Sequence, residues 1–334
     1  MKPLISILMP IKNAEKHLVD CIQSIIDQSE TNWELLAVND HSTDGTSQIL
    51  SDFNKKDVRI KTLNNEGEGI IWALRTAYKN SSGNLIHRMD ADDLMAKNKL
   101  LTLSNLLQEK GKGYLATAKV SYFSDGELQE GYQKYAQWLN RLCDEVAHWD
   151  EIYKECVIAS PNWLIHRSDL DKCGAFQPDR YPEDYDLVFR FYVSGLKVAA
   201  ADEVTHHWRD HENRSSRKLE VYKENDFFEL KWRYFQSVER DEKRPLLLWG
   251  AGKKGKKLAR LWNKLSIDYE WVSNNPNKHG REIYDQILHA YQSIIQKSNP
   301  QIVIPVGQIG AKKEILHFLS TNQLKENEDF WFFC

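Results

Sequence analysis

The sequence predicts an α/β protein built as two globular domains, residues 1–238 and 239–334. The first hundred residues alternate short apolar runs of β type with amphipathic helical stretches, the pattern of a parallel sheet with crossover helices. A second strand, glycine turn and helix begin at Pro245, just after the charged stretch Glu239–Arg244. At 334 residues and 41% hydrophobic content, the chain is long and apolar enough to bury a substantial core.

Strands are predicted at Ile5–Met9, Leu35–Asn39, Arg59–Leu63 and Leu85–Met89. Between the first two, Leu18, Ile22, Ile25 and Ile26 recur at helical spacing, and Thr43 with Asp44 supplies a helix start before Ile49 and Leu50. From Tyr114 to Trp208 the pattern is mixed, with aromatic-rich helices expected around Tyr132–Cys143 and Ile152–Val157 and another opening at Glu183. A long amphipathic helix over 219–238 closes the first domain. In such sheets ligands bind beyond the carboxyl ends of the strands, so the residues just after each strand are the candidates for chemistry.

The net charge of −3, with 28% charged residues of both signs, provides no basic field for nucleic acid and points to a small-molecule or glycan substrate. The run Lys253, Lys254, Lys256, Lys257 reads as a solvated helix face. Five scattered cysteines (Cys21, Cys143, Cys156, Cys173, Cys334) have no metal-ligand spacing and fit a reducing compartment. The apolar run Leu4–Met9 is too short for a signal-peptide core, and no stretch approaches the roughly 20 apolar residues of a membrane span. A cytoplasmic location is expected, with any membrane contact peripheral, at the inner face.

After the fourth strand comes Asp90-Ala91-Asp92-Asp93, three carboxylates in four residues. Taken alone this reads equally as a surface turn before a capped helix or as a site for a hard divalent ion completed by substrate phosphates. Two other polar loops follow strands at the same rim: Pro10-Ile11-Lys12-Asn13, and Asn39-Asp40-His41-Ser42-Thr43-Asp44-Gly45. With Asn65-Glu66-Gly67 these motifs, in this order, resemble the family 2 glycosyltransferases of the GT-A nucleotide-diphospho-sugar transferase fold. The resemblance runs through Trp163–Arg167, Gly174-Ala175-Phe176 and Glu183-Asp184-Tyr185-Asp186-Leu187 to a closing segment at residues 208–216, and so covers residues 1 to about 235.

The resemblance implies a nucleotide-diphosphate sugar donor, a glycan or lipid-linked acceptor, and Mn²⁺ or Mg²⁺. It implies that Pro10, Asn13, Asn39, Asp40, Gly67 and Asp90 bind the nucleotide, and that Asp90, Asp92, Asp93 and His211 hold the metal. Asp184 is implied as the catalytic base, supported by Glu183, with inversion at the anomeric carbon. Two positions depart from the family's pattern: Asn39 stands where a carboxylate is usual, and Lys12 where an aromatic ring would stack on the base.

The second domain offers Leu246–Trp249 followed by Gly250-Ala251-Gly252-Lys253-Lys254-Gly255, a strand, glycine-rich turn and helix start in the context of a dinucleotide fingerprint. The next strand, Tyr269–Val272, ends in Ser273-Asn274-Asn275 without the acidic residue that would hold a ribose. A small Rossmann-like domain with a scaffolding, regulatory or homo-oligomerising role is expected. Two alternatives are an NAD-linked oxidoreductase using this turn and a non-catalytic sugar-nucleotide binding protein. The first has neither a cofactor carboxylate nor a proton-transfer residue here, and the pairing of Asp92 with Asp184 weighs against the second.

Overall fold

The computed structural model describes residues 3–124, 126, 130–211 and 227–334. The chain divides into two compact units. The first holds the described residues up to Trp149 and from Cys156 to His211; the second holds residues 150–155 and those from Phe227 onward.

In the first unit β1 (Ile5–Ile11), β2 (Trp33–Asn39), β3 (Ile60–Asn64) and β4 (Leu85–Arg88) are parallel neighbours, close to their predicted bounds. The sheet has eight strands in the order β3-β2-β1-β4-β7-β6-β8-β5, completed by β5 (Leu94–Met95), β6 (Tyr114–Ser124), β7 (Trp163–His166) and β8 (Lys197–Asp210). Being central, β1 is covered on both faces, which is why its sequence is an unbroken apolar run rather than an alternating one. Ile5, Ile7 and Met9 pack with Leu18, Ile22 and Ile25 of α1 (Leu18–Ile26), the predicted helical stripe. Helices α2 (Thr46–Lys56), α3 (Ile70–Lys79) and α4 (Lys99–Lys110) make the remaining crossovers.

The antiparallel strand β7 lies between β4 and β6, and β6 is parallel to β8. Two reversals restore direction, so β6 and β8 run in the same sense as β1–β4 and end on the same rim. Helix α5 (Glu130–Glu145) lies beside β6, and α6 (Arg167–Lys172) and α7 (Glu183–Val193) follow β7. The helix expected around Ile152–Val157 does not form. A 3₁₀ turn at Trp149–Glu151 leads into non-helical turns, and Tyr153 stacks on Phe333 with ring centroids 5.4 Å apart. A local helical pattern has here yielded to tertiary packing of its aromatic residue.

The second unit is a six-stranded sheet in the order β11-β12-β10-β9-β13-β14, parallel except for the β11/β12 pair. Its strands are β9 (Leu246–Trp249), β10 (Glu270–Ser273), β11 (Glu282–Ile283), β12 (Gln286–Ala290), β13 (Gln301–Ile304) and β14 (Phe330–Phe332). Helix α8 (Phe228–Val238), which the sequence places in the first domain, packs here: Trp232 lies 4.7 Å from Trp262 and Phe235 4.9 Å from Trp331. The unit boundary therefore precedes α8 instead of following it. Residues 219–226 of the expected long helix lie outside the described residues.

The glycine turn joins β9 to α9 (Lys253–Lys264), and α10 (Ile309–Thr321) follows β13. Gly250 has φ +129°, and a Cβ on Gly255 would stand 2.0 Å from the Gly250 carbonyl oxygen, so both glycines are required simply to pack α9 against its own turn. The turn's carbonyls are taken up internally: Lys278 Nζ donates to Ala251 O at 2.7 Å and Trp271 Nε1 to Gly250 O at 2.8 Å. Asn274, where a dinucleotide site would place its carboxylate, accepts from the Trp249 indole.

Candidate active site

The register brings the first three strand ends level: Ile11 pairs with Asn39, and Asn39 with Asn64. Asn13 Oδ1 accepts from Thr43 N–H at 2.8 Å while Asn13 N–H donates to Ser42 Oγ at 2.9 Å, and Glu15 accepts from Gly45 N–H at 2.6 Å. These bonds zip the loop after β1 onto the loop after β2. Asn39 is buried and spends its amide inside that loop, donating to Ser47 Oγ and accepting from Ser42 N–H. Pro10 lies within β1, opposite Val38.

Asp40, 4% exposed, accepts from Asn65 Nδ2 at 2.7 Å, from Gly69 N–H at 3.1 Å and from Lys12 Nζ at 3.3 Å. Burial alone would raise its pKa, but the bonds from Asn65, Gly69 and Lys12 outweigh it and hold the carboxyl below its usual range. Gly69 has φ +87° at the start of α3, and a Cβ on Gly67 would stand 2.5 Å from the Trp72 ring. Asp40 thus ties the third loop to the second, with Lys12 drawn toward it by charge. Tyr181, 48% exposed, stands beside Gly69.

At the end of β4 an arginine joins two of the acidic loops. Arg88, 4% exposed, donates from Nε to Asp90 Oδ1 at 3.0 Å and from Nη1 to Glu183 Oε1 at 3.2 Å. Burial works against its charge, yet Asp90, Glu183 and Asp184 together raise its pKa. Burial pushes Glu183 up, reinforced by Asp184 and opposed by Arg88. Asp184 is likewise raised, by burial first, with Arg88 and its bond from Tyr185 N–H opposing. Two adjacent carboxylates at the first turn of α7 thus face one cation, with Glu183 directly bonded to it. The signal in the sequence was an arginine at the end of a strand, two residues before an acidic cluster.

The expected four-residue metal set does not assemble. Asp93 is 1% exposed and bonds inward, accepting from Arg209 N–H at 2.8 Å and from His206 Nε2 at 3.1 Å. His206 Nδ1 in turn meets Lys99 Nζ at 2.9 Å, and Lys99 donates to the Pro161 carbonyl. Burial pulls this lysine's pKa down to about 7, although Asp93 and Asp90 oppose it. Asp93 fastens β5 and β8 together, because a buried carboxylate must be paired. Among the described residues no three His, Cys, Asp or Glu side chains are placed to hold one ion.

Asp92 and His211 do come together, Oδ2 to Nε2 at 2.8 Å, with side chains 29% and 19% exposed. The His17 ring lies 4.9 Å from that of His211, and burial first, then Arg209 and His211, lower its pKa. One hard oxygen and one imidazole, both partly open, fit a divalent ion whose remaining ligands come from a diphosphate. They do not make a preformed protein cage.

Asn162 and Trp163 are buried structural groups: Asn162 bridges Ala118 O and Thr205, and Trp163 packs on Phe191. The proposed closing segment is described only to His211. No helix among the described residues is long and apolar enough to cross a membrane.

The sequence pattern of a family described as "Glycosyl transferase family 2" matches residues 6–174. The chain is 26% identical over 207 residues to glycosyltransferase GlyG of Streptococcus pneumoniae serotype 4, covering 59% of this chain and 68% of GlyG. It spans only 31% and 50% of the length of two further curated relatives. Among solved structures, S. aureus TarS 1-349 in complex with UDP-GlcNAc superposes with a TM-score of 0.55 at 17% identity, over 72% of this chain and 68% of that one. Mannosyltransferase PcManGT from Pyrobaculum calidifontis, in complex with GDP-Man and Mn2+, gives 0.50 at 16% identity, over 73% and 66%. At these identities the structural likeness is one of fold.

Proposed function

The chain belongs to glycosyl transferase family 2, and from that premise we propose that it transfers a sugar, with inversion, from a nucleoside-diphosphate donor to a hydroxyl of a glycan or lipid-linked acceptor in the cytoplasm. The observation that carries this reading is the buried Arg88, bonded at once to Asp90 on the donor side and to Glu183 beside Asp184. On this reading a general base and a nucleotide-side carboxylate would share one buried cation.

Asp184 is the base. Its raised pKa makes it a better proton acceptor than an exposed aspartate, and Glu183, held by Arg88, keeps it oriented on the first turn of α7. The acceptor hydroxyl gives its proton to Asp184 as its oxygen bonds to the anomeric carbon, and the carbon–oxygen bond to the nucleoside diphosphate breaks on the opposite face. Asp90 lies toward the donor, and Asp40, Asn13 and Asn39 build the loops that receive the nucleotide. Asp92 and His211 would hold Mn²⁺ or Mg²⁺, which when bound neutralises charge on the departing diphosphate. That TarS and PcManGT were solved with a nucleotide sugar, the latter also with Mn2+, supports this donor class.

The test is calorimetric titration of UDP and GDP with and without Mn²⁺, on wild type, Asp92→Ala and Asp184→Ala. Metal-dependent binding lost in Asp92→Ala and kept in Asp184→Ala is the expected result. Metal-independent binding indifferent to both changes, or binding of NAD alone, would sink the reading. For the second unit we propose a scaffolding role, supported by the internally satisfied glycine turn and by Asn274 in the place of a ribose carboxylate.

A further inference from the structure

His17 is a nearly buried polar residue of the rim that the transferase reading leaves without a task. It is 7% exposed and stands at the start of α1, where its backbone is used: its N–H donates to Ala14 O at 3.0 Å and its carbonyl accepts from Cys21 N–H at 3.1 Å. Its side chain does not cap the helix, and among the described residues neither ring nitrogen has a hydrogen-bond partner. Unlike His87 Nε2 and His148 Nδ1, which are sealed from solvent without a partner, neither His17 nitrogen is sealed, so a ligand can reach it. Burying an imidazole that no protein group satisfies costs free energy that an apolar ring would not, so its partner has to come from outside the chain.

The ring is held beside the Asp92–His211 pair. Its centroid lies 4.9 Å from that of His211, with the planes tilted by 47°, and His211 Nε2 meets Asp92 Oδ2. One helical turn further along α1, Asp20 accepts from Arg209 Nη2 at 3.4 Å, while Arg209 Nε donates to Asp92 O at 3.0 Å. The first turn of α1 is therefore laced to both the acidic loop and the end of β8. Positive charge gathers here: after burial, Arg209, His211 and Lys16 lower the pKa of His17, and Asp92 opposes them. Such a setting favours an anion.

We propose that His17 donates a hydrogen bond to a phosphate oxygen of the donor's diphosphate, an inference that rests on the transferase reading. An imidazole presents at least one N–H in either protonation state, so no titration is involved. A diphosphate drawn to a divalent ion at Asp92 and His211 brings its oxygens beside the neighbouring ring, and an N–H to a charged oxygen is the stronger kind of hydrogen bond. The ring is not a third metal ligand, since among the described residues no three such side chains are placed to hold one ion. The same bond serves transfer as well as binding, because negative charge grows on the diphosphate as its bond to the anomeric carbon breaks.

The experiment is calorimetric titration of the full chain with UDP or GDP in the presence of Mn²⁺, on wild type, His17→Phe and His17→Gln, with urea unfolding of each protein. His17→Phe keeps a ring against His211 and should weaken nucleotide binding about tenfold. Its unfolding midpoint should stay level or rise, because no hydrogen bond within the protein is lost. His17→Gln, which keeps an N–H donor, should recover part of the lost affinity. Mn²⁺ titrated without nucleotide should bind wild type and His17→Phe alike. Nucleotide binding by His17→Phe equal to wild type, a lowered midpoint, or weaker uptake of Mn²⁺ alone would overturn the inference while leaving the donor site standing. Failure of wild type to bind either nucleotide would bring down the donor reading itself and this inference with it, so the two failures are told apart by the wild-type titration.

Discussion

Replacing Arg88 by methionine removes the cation bonded to Asp90 and Glu183, while keeping most of its volume. Unit charges about 4 Å apart in a partly buried setting interact by about 4 kcal/mol, and stripping one partner from a buried pair costs about 3–5 kcal/mol because the other is left uncompensated. Arg88 and Glu183 are 5% and 10% exposed at the side chain, so solvent screening takes little from this figure. In the folded protein Glu183 and Asp184 already hold protons more readily than ordinary carboxylates, so their contribution to stability falls as pH rises from the normal carboxylate range through their raised folded values. Loss of Arg88 raises both further. Urea unfolding followed by tryptophan fluorescence should therefore show Arg88→Met less stable than wild type by about 3–5 kcal/mol near pH 8, with a smaller deficit near pH 5, below the value of about 7 to which Glu183 is raised. In a transfer assay the acid limb of the pH–rate profile should move upward, because the base stays protonated to higher pH. A deficit of equal size at both pH values, or none, would refute the electrostatic account of this residue.

The other expectations are more local. Asp93→Asn should lower stability by about 1–3 kcal/mol through its bonds to Arg209 N–H and His206, yet leave Mn²⁺-dependent UDP or GDP binding near wild type, as calorimetry would show. Arg75 donates to the Phe176 and Gln177 carbonyls and to Asp179, and so holds the segment leading to Tyr181 and Glu183. Arg75→Ala should reduce kcat more than it weakens nucleotide binding, and a pure loss of binding would contradict that. Glu34 is driven to about 2, burial being outweighed by bonds from Lys61, Ser82 and Ser6; the gap from its ordinary value corresponds to about 3 kcal/mol, present above about pH 4.5 and lost as pH falls toward 2. In Glu34→Gln that acid-side loss should be absent from a stability-versus-pH series.

The sequence by itself determined the α/β class, the four parallel strands and the rim on which their loops converge, because a buried parallel strand has to be an apolar run and its polar successor has to lie at its end. It also marked Asp92, His211, Glu183 and Asp184, since the family's motifs occur in order around those strands. Tertiary structure decided which acids turn inward and which stay partly open. Asp93 is indistinguishable from Asp92 in the sequence, but the pairing of β5 with β8 brings His206 and the Arg209 N–H to it, whereas Asp92 meets His211. Arg88 acquires its partner only when Glu183, 95 residues later, is folded against it. Residues 150–155 and α8 joined the second unit because Tyr153, Trp232 and Phe235 find their aromatic partners there. Periodicity fixes what a segment can bury; the long-range pairing of strands and rings chooses what it is buried against.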